Sequence, residues 1–255
     1  MERTNAYSLL DFLDNSPCNF FATATIQRYL DDNGFQELKQ SERWNLEKGG
    51  KYYVKKNDTA IFGFVIGETP LDQSGFNMIS AHSDSPCFRI KPNPEMLADG
   101  VLKLNTEVYG GPILYTWFDR PLSLAGRVIV RNPQNPARPI TKLIDFASPV
   151  LIIPHLAIHF NRNVNAGNPL SKQKDMLPIA AIVSDSMSKN NFLIDQIKER
   201  LEIADSKDIL DFDLMLYNCQ KSQLVGFNKE FICSGRIDDL SMAHAALSAL
   251  LNSGI

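Results

Sequence analysis

Metal-binding residues are scarce in this chain: its 255 residues include four cysteines and four histidines. Cys18, Cys87, Cys219 and Cys233 stand far apart with no C-x-x-C pair. That excludes a thiolate zinc site and a disulfide framework, and the four read as reduced, partly buried thiols of a cytosolic protein. No apolar run is long enough to span a bilayer. The opening "MERTNAYSLLDFLDNSP" carries acids where a signal peptide has a basic start and an apolar run. The net charge is -3, and no Lys/Arg cluster forms a stripe, which argues against nucleic acid and anionic membrane surfaces as partners. There is no G-x-S-x-G, Walker A or G-x-G-x-x-G motif. The glycines of "GETPLDQSG" and "EKGGKYY" lack the spacing of a phosphate cradle. Internal repeats and low-complexity segments are missing as well.

What remains is a chain able to fold. With 44% hydrophobic and 22% charged residues of both signs, it can bury a sizeable core in one large domain or two smaller ones. "AYSLLDFLDNSP" predicts a helix with Leu9, Leu10, Phe12 and Leu13 as its stripe, ended by Pro17. "NFFATATIQRYLDDNGF" predicts a second, with Phe20, Phe21, Ala24, Ile26 and Leu30 inward and Asn33-Gly34 as its stop. The period then shortens. "KYYVKK" and "AIFGFVIG" around "NDT" signal a hairpin, and "FNMISAH" reads as a further strand ending at His82. From about residue 94 the strands become short and punctuated by Pro and Gly: "VLKLNTEVYG", "LSLAGRVIVR", "TKLIDF", "PVLIIP", "DFDLMLYN". One helix lies near "NNFLIDQIKERLEIA", and "NRNVNAGNPLSKQKD" is a polar loop. The texture reverts at "FICS", a strand, and "DDLSMAHAALSALL", an amphipathic helix with Leu240, Ala243, Leu247, Leu250 and Leu251 on one face. This is an α/β domain interrupted by a β-rich insert. The division is expected at 1–93, 94–227 and 228–255.

Three constellations carry chemistry, each with a plainer reading. In His82-Ser83-Asp84 a carboxylate can hold one ring nitrogen and leave the other for a metal, fixing the tautomer and raising basicity. On spacing alone the motif reads first as a polar turn. In "SGRIDDL" an aspartate at a strand-to-helix junction can bridge two metal ions, or simply cap the helix. His155 and His159 of "PHLAIH" would share one face of a helix, but Leu156 stands where a zincin needs its glutamate. They read as a packed or surface pair, and His244 as structural. If His82 ends one strand and Asp238 follows another, the two converge on one site, beyond the carboxyl ends of strands where α/β sheets collect ligands.

Taken together, "AHSDSPCFRIKP", "YGGPILYTWFDRPLSLAGRV", "PHLAIHFNR" and "SGRIDDL", in that order, resemble the aspartyl aminopeptidase family of dinuclear zinc peptidases. "LEKGGKYYV" is similar to that family's early hairpin, and the resemblance covers nearly the whole chain. It implies a zinc-peptidase α/β catalytic domain with an inserted β-rich dimerisation domain. It implies a hydrolase that removes N-terminal Asp and Glu from peptides using two zinc ions per active site; the cytoplasmic location expected for it comes from the reduced cysteines and the N-terminal composition. The implied assembly is a homo-oligomer built from dimers, commonly a dodecamer. By the same resemblance His82 is a zinc ligand, Asp84 the catalytic acid that orients it, and Asp238 the carboxylate bridging the metals. His159 is the residue that reaches a dimer partner's site and holds substrate there. Cys87 and Arg89 are motif neighbours without a derived role.

The resemblance also implies residues that these 255 do not contain. The family's Glu-Glu pair, which supplies the general base and a zinc ligand, is not among them, nor are a later aspartate and a distal histidine. Two protein ligands are too few for a zinc site. The expectation is therefore an N-terminal portion of the enzyme, inactive by itself. The alternatives are a non-catalytic truncated homologue acting as an assembly or binding subunit, and a sister zinc aminopeptidase with another substrate preference.

Overall fold

The computed structural model of the chain describes residues 2–183 and 191–253. Two compact units emerge, one from residues 1–85 and 221–255 and the other from residues 86–220.

The first unit begins with α1 (Glu2–Asp14) and α2 (Asn19–Asp32). α2 ends as its sequence predicts. Gly34 takes φ +79°, so that Phe35 N–H reaches the Leu30 carbonyl at 3.0 Å and Gly34 N–H reaches Asp31 at 3.1 Å. This pair of bonds is a Schellman closure. β1 (Gln36–Glu37), β2 (Lys51–Lys56) and β3 (Ala60–Val65) form a three-stranded sheet in that order. Asn57 and Asp58, both at positive φ, turn the β2–β3 hairpin, a conformation Asn and Asp tolerate better than most residues. A single helical turn, α3 (Leu71–Ser74), follows.

The expected strand at "FNMISAH" does not form. Residues 75–82 carry no regular structure, and Phe76, Met78 and Ile79 are exposed. β-propensity expresses itself only against ladder neighbours, and no strand among the described residues pairs with this stretch. His82 thus follows an irregular segment and not a strand end. A cleft of about 730 Å³ lies between this stretch, β3 and the last helix, lined by apolar groups including Phe62, Phe76, Met78 and Leu250.

The second unit is built on a six-stranded sheet, with β4 (Cys87–Ala98), β5 (Val101–Tyr109), β6 (Leu122–Val130), β7 (Ile140–Asp145) and β8 (Ile179–Ile182). α4 (Phe192–Arg200) and β9 (Ile209–Asn218) complete it, in the order β7-β6-β9-β4-β5-β8. Asn190, at the head of the run read as the α4 helix, lies outside the described residues. β4 passes through Pro92 and Pro94, in the register shift between Ile90 and Glu95, where a strand tolerates residues without an N–H. "PVLIIP" contributes only isolated bridges at Leu151, Ile152 and Ile153. Phe88, Leu104, Leu122, Val128, Ile144, Leu214 and Leu216 form the core, covered by Leu193 and Ile197 of α4.

The chain then returns to the first unit through β10 (Gln223–Val225), β11 (Phe231–Cys233) and α5 (Ile237–Asn252). Leu240, Ala243 and Leu247 of α5 join Phe12, Leu13, Ala22, Ile26, Leu30 and Tyr53 in one core. His244 is buried in this seat, its Nε2 2.9 Å from Ser8 Oγ and its ring 5.5 Å from that of Phe12.

Two predictions follow from this packing. Burial lowers the His244 pKa below its usual value of 6.5. The unfolded chain therefore binds that proton more readily, and stability present above about pH 6.5 is lost as pH falls toward the lower folded value. The urea midpoint should drop between pH 7.5 and 5.5, and His244→Gln, which cannot take up the proton, should flatten the drop. In the other unit, a Cβ on Gly126 of β6 would enter contact distance of the Asp213 carbonyl oxygen across the β6–β9 ladder. Backbone cannot yield as a side chain does, so Gly126→Ala should cost about 1–3 kcal/mol in urea unfolding.

Candidate metal centre

His82 is placed by three tethers. Its backbone N–H donates to Asp239 Oδ2 at 3.2 Å. Its ring Nδ1 lies 3.2 Å from Asp84 Oδ1. The next residue, Ser83, donates through Oγ to the Thr59 carbonyl at 2.8 Å, fixing the segment to the β2–β3 hairpin. With Nδ1 occupied, Nε2 is the ring atom left for a ligand. The ring is 76% exposed while Asp84 is 31% exposed, so the carboxylate sits deeper and the imidazole faces outward.

The aspartates arrive on α5. Arg236, ahead of the helix, adopts a left-handed backbone with φ +62°, a conformation costing about 1 kcal/mol or more for a non-glycine residue. Its guanidinium offsets this by donating from Nη2 to the Leu13 carbonyl of α1 at 3.1 Å. Asp238 has non-helical angles (φ -84°, ψ 108°) within the first turn, and the Asp238–Asp239 peptide is cis. The Asp238 side chain is exposed. Among the described residues it makes no hydrogen bond or ion pair, so the plain capping reading has no bond to stand on. Both acids lie where the positive end of the helix dipole favours negative charge.

The structure therefore brings His82, Asp84 and Asp239 into direct contact and sets Asp238 next in chain to Asp239. None of His82, Asp84 and Asp238 lines the apolar cleft beside β3. His159 belongs to the other unit, on an exposed turn, and "PHLAIH" is not helical. His155 there is engaged, with its N–H on Asp119 Oδ1 at 3.0 Å and its ring edge-on to Phe118 at 4.6 Å. Arg89 gains a role that sequence did not show: its Nε pairs with Asp213 Oδ1 at 2.8 Å across β4 and β9.

As a donor set, an imidazole with one nitrogen held by a carboxylate and a nearby unengaged carboxylate fit zinc in chemical type. In number they fall short. Among the described residues, no three His, Cys, Asp or Glu side chains are grouped to hold an ion. The contact of Asp239 with His82 is what sequence reasoning misses. In "SGRIDDL" it offers either acid as a helix cap and only Asp238 as a metal donor.

Residues 12–254 match the family model described as Aminopeptidase I zinc metalloprotease (M18). The chain belongs to this family. A probable M18 family aminopeptidase 2 from Clostridium novyi is 51% identical over 98% of the chain and 58% of its own length. A chain in a cryo-EM structure of the Ape4 and Nbr1 complex superposes with a TM-score of 0.91 at 32% identity, covering 98% of this chain and 50% of that one. Mature Ape1 of Chaetomium thermophilum gives a TM-score of 0.87 at 31% identity, over 99% and 59%. The α/β peptidase-type fold is thus that of the M18 aminopeptidases. The chain spans little more than half the length of these relatives.

Asp84→Asn tests the tether on the His82 ring. The amide lacks the charge that raises the basicity of the imidazole, and where its NH2 faces Nδ1 the ring proton moves to Nε2, the atom a metal requires bare. Zinc affinity, measured by calorimetry, should fall about 10- to 100-fold.

Proposed function

We propose that the protein is a zinc-dependent aminopeptidase that releases N-terminal aspartate or glutamate from peptides. The observation that carries the reading is the contact between His82 and the head of α5, 157 residues apart in sequence, within a chain of the M18 family. His82 would hold zinc through Nε2, and Asp238 would share its carboxylate between two ions. Zinc bound there supplies a Lewis acid for the scissile carbonyl and lowers the pKa of water near neutral pH. Asp84 keeps the imidazole in one tautomer and orientation. The acidic-residue preference and the pair of ions rest on the resemblance of the motifs; a cytoplasmic location rests on the four free cysteines.

His159 is proposed to serve the site of a second protomer, with residues 86–220 as the assembly unit of a dimer-based homo-oligomer, a dodecamer by resemblance. Supporting this, Ile152, Leu156, Ile158 and Phe160 all expose large apolar side chains, Phe160 to 80%. Exposed apolar clustering of this kind marks interaction surfaces.

The base that moves the water proton and the remaining zinc donors have no counterpart here, since no Glu-Glu occurs and no three donors gather among the described residues. A second reading is an assembly or binding subunit without catalysis, in keeping with the exposed apolar groups around Phe160. The product of the complete gene, loaded with zinc, should hydrolyse Asp- and Glu-anilides well ahead of Leu- or Lys-anilides, and a chelator should abolish turnover. The 255-residue stretch alone should be silent with added zinc. Turnover by that stretch would refute the need for further donors. Silence of the complete product on every anilide would favour the assembly reading.

A further inference from the structure

We propose that Asp239 is a positioning residue. Its carboxylate clasps the His82 backbone and thereby sets the separation between the two metal donors, His82 and Asp238. This rests on the metal reading above.

The geometry points to a clasp. Asp239 Oδ2 accepts from the backbone N–H of His82 at 3.2 Å, so it governs where the His82 residue sits, while Asp84 governs how its ring turns. The two carboxylates divide the task. Residues 75–82 have no ladder partner among the described residues and no regular structure. Without a sheet to hold this segment, its end is held by side-chain bonds, from Asp239 at His82 and from Ser83 to the hairpin. Asp239 is suited to the task because it is fixed from below. Leu240, the following residue, is 1% exposed and seated in the core with Phe12 and Leu13. Asp238, the preceding residue, faces solvent. One peptide unit therefore carries a free donor outward and a clasp sideways, on a helix that cannot slide.

Chemistry separates this role from those of its neighbours. A zinc ligand needs an anionic or neutral lone pair directed at the ion, and replacing Asp by Asn weakens it. A clasp on a backbone N–H needs only an acceptor oxygen, which Asn also has. Misplacing a first ligand by a fraction of an ångström changes both affinity and coordination geometry.

The test uses the product of the complete gene and three forms: wild type, Asp239→Asn and Asp239→Ala. Amide hydrogen exchange at His82, followed by NMR on a segmentally labelled sample without metal, reads the clasp directly. Zinc calorimetry and the d–d absorption of the cobalt(II)-loaded protein read the positioning. His82 should be protected in wild type and Asn, and exchange faster in Ala. Zinc affinity should drop about 10- to 100-fold in Ala with an altered cobalt spectrum, and Asn should restore both. An Ala variant with unchanged affinity and spectrum overturns the proposal. So does an Asn variant that behaves as Ala, because charge and not acceptance would then be what matters. Should Ala fail to fold, Asn alone decides: retained protection and affinity support the clasp, and their loss sinks it. If wild type binds no zinc, the metal reading fails and the positioning role with it, while unchanged His82 protection would show the clasp to be purely structural.

Discussion

The seating of α5 is the constraint on which the rest of the first unit depends. Leu240, Ala243 and Leu247 are buried against α1, α2 and Tyr53, and full burial of each large apolar side chain is worth about 1.5–3 kcal/mol. That packing fixes the helix in rotation and along its axis. Its first turn then has no freedom, and the carboxylates of Asp238 and Asp239 are presented at one place. Arg236 adds a bond to the α1 backbone just ahead of the helix. His244 shows how tightly the seat is made, since even the polar group it admits finds a partner in Ser8.

Electrostatics and packing point the same way at the head of this helix. Two adjacent acids repel one another, yet each is favoured by the unsatisfied N–H groups of the first turn. Asp239 discharges part of its demand on the His82 amide. Asp238 stays exposed and without a partner among the described residues. Burial of the helix and exposure of its first acid are two consequences of one amphipathic sequence.

The legible parts of the fold were those specified by near neighbours in sequence. α1, α2 and α5 announce themselves by a 3.6-residue apolar period. The stop after α2 and the β2–β3 turn are announced by Asn-Gly and Asn-Asp, residues that accept left-handed backbone. Failures came where the deciding partner is remote. "FNMISAH" has the composition of a strand but no ladder to join. β4 is not among the expected strands, and the bulge that accommodates its Pro92 and Pro94 exists only against β5. In the candidate site, His82 with Asp84 was legible as a local pair. The contact to Asp239 was not, because nothing in a local window links residue 82 to residue 239.

That remoteness bears on how the chain accommodates residues 86–220 in the middle of one unit. Closing so long a loop costs entropy that grows only with the logarithm of its length, so the demand falls on its two ends. Both ends are secured within the first unit. On the outgoing side Ser83 bonds the Thr59 carbonyl and His82 bonds Asp239. On the return side Ser222 N–H donates to Asp14 at 2.8 Å, and Ser222 and Ser234 share a hydroxyl bond at 2.7 Å. His82 belongs both to the outgoing fastening and to the candidate metal donors. A bond needed to fix the end of an insertion also fixes a histidine beside an aspartate, so the interruption of the chain and the assembly of the site draw on one set of hydrogen bonds.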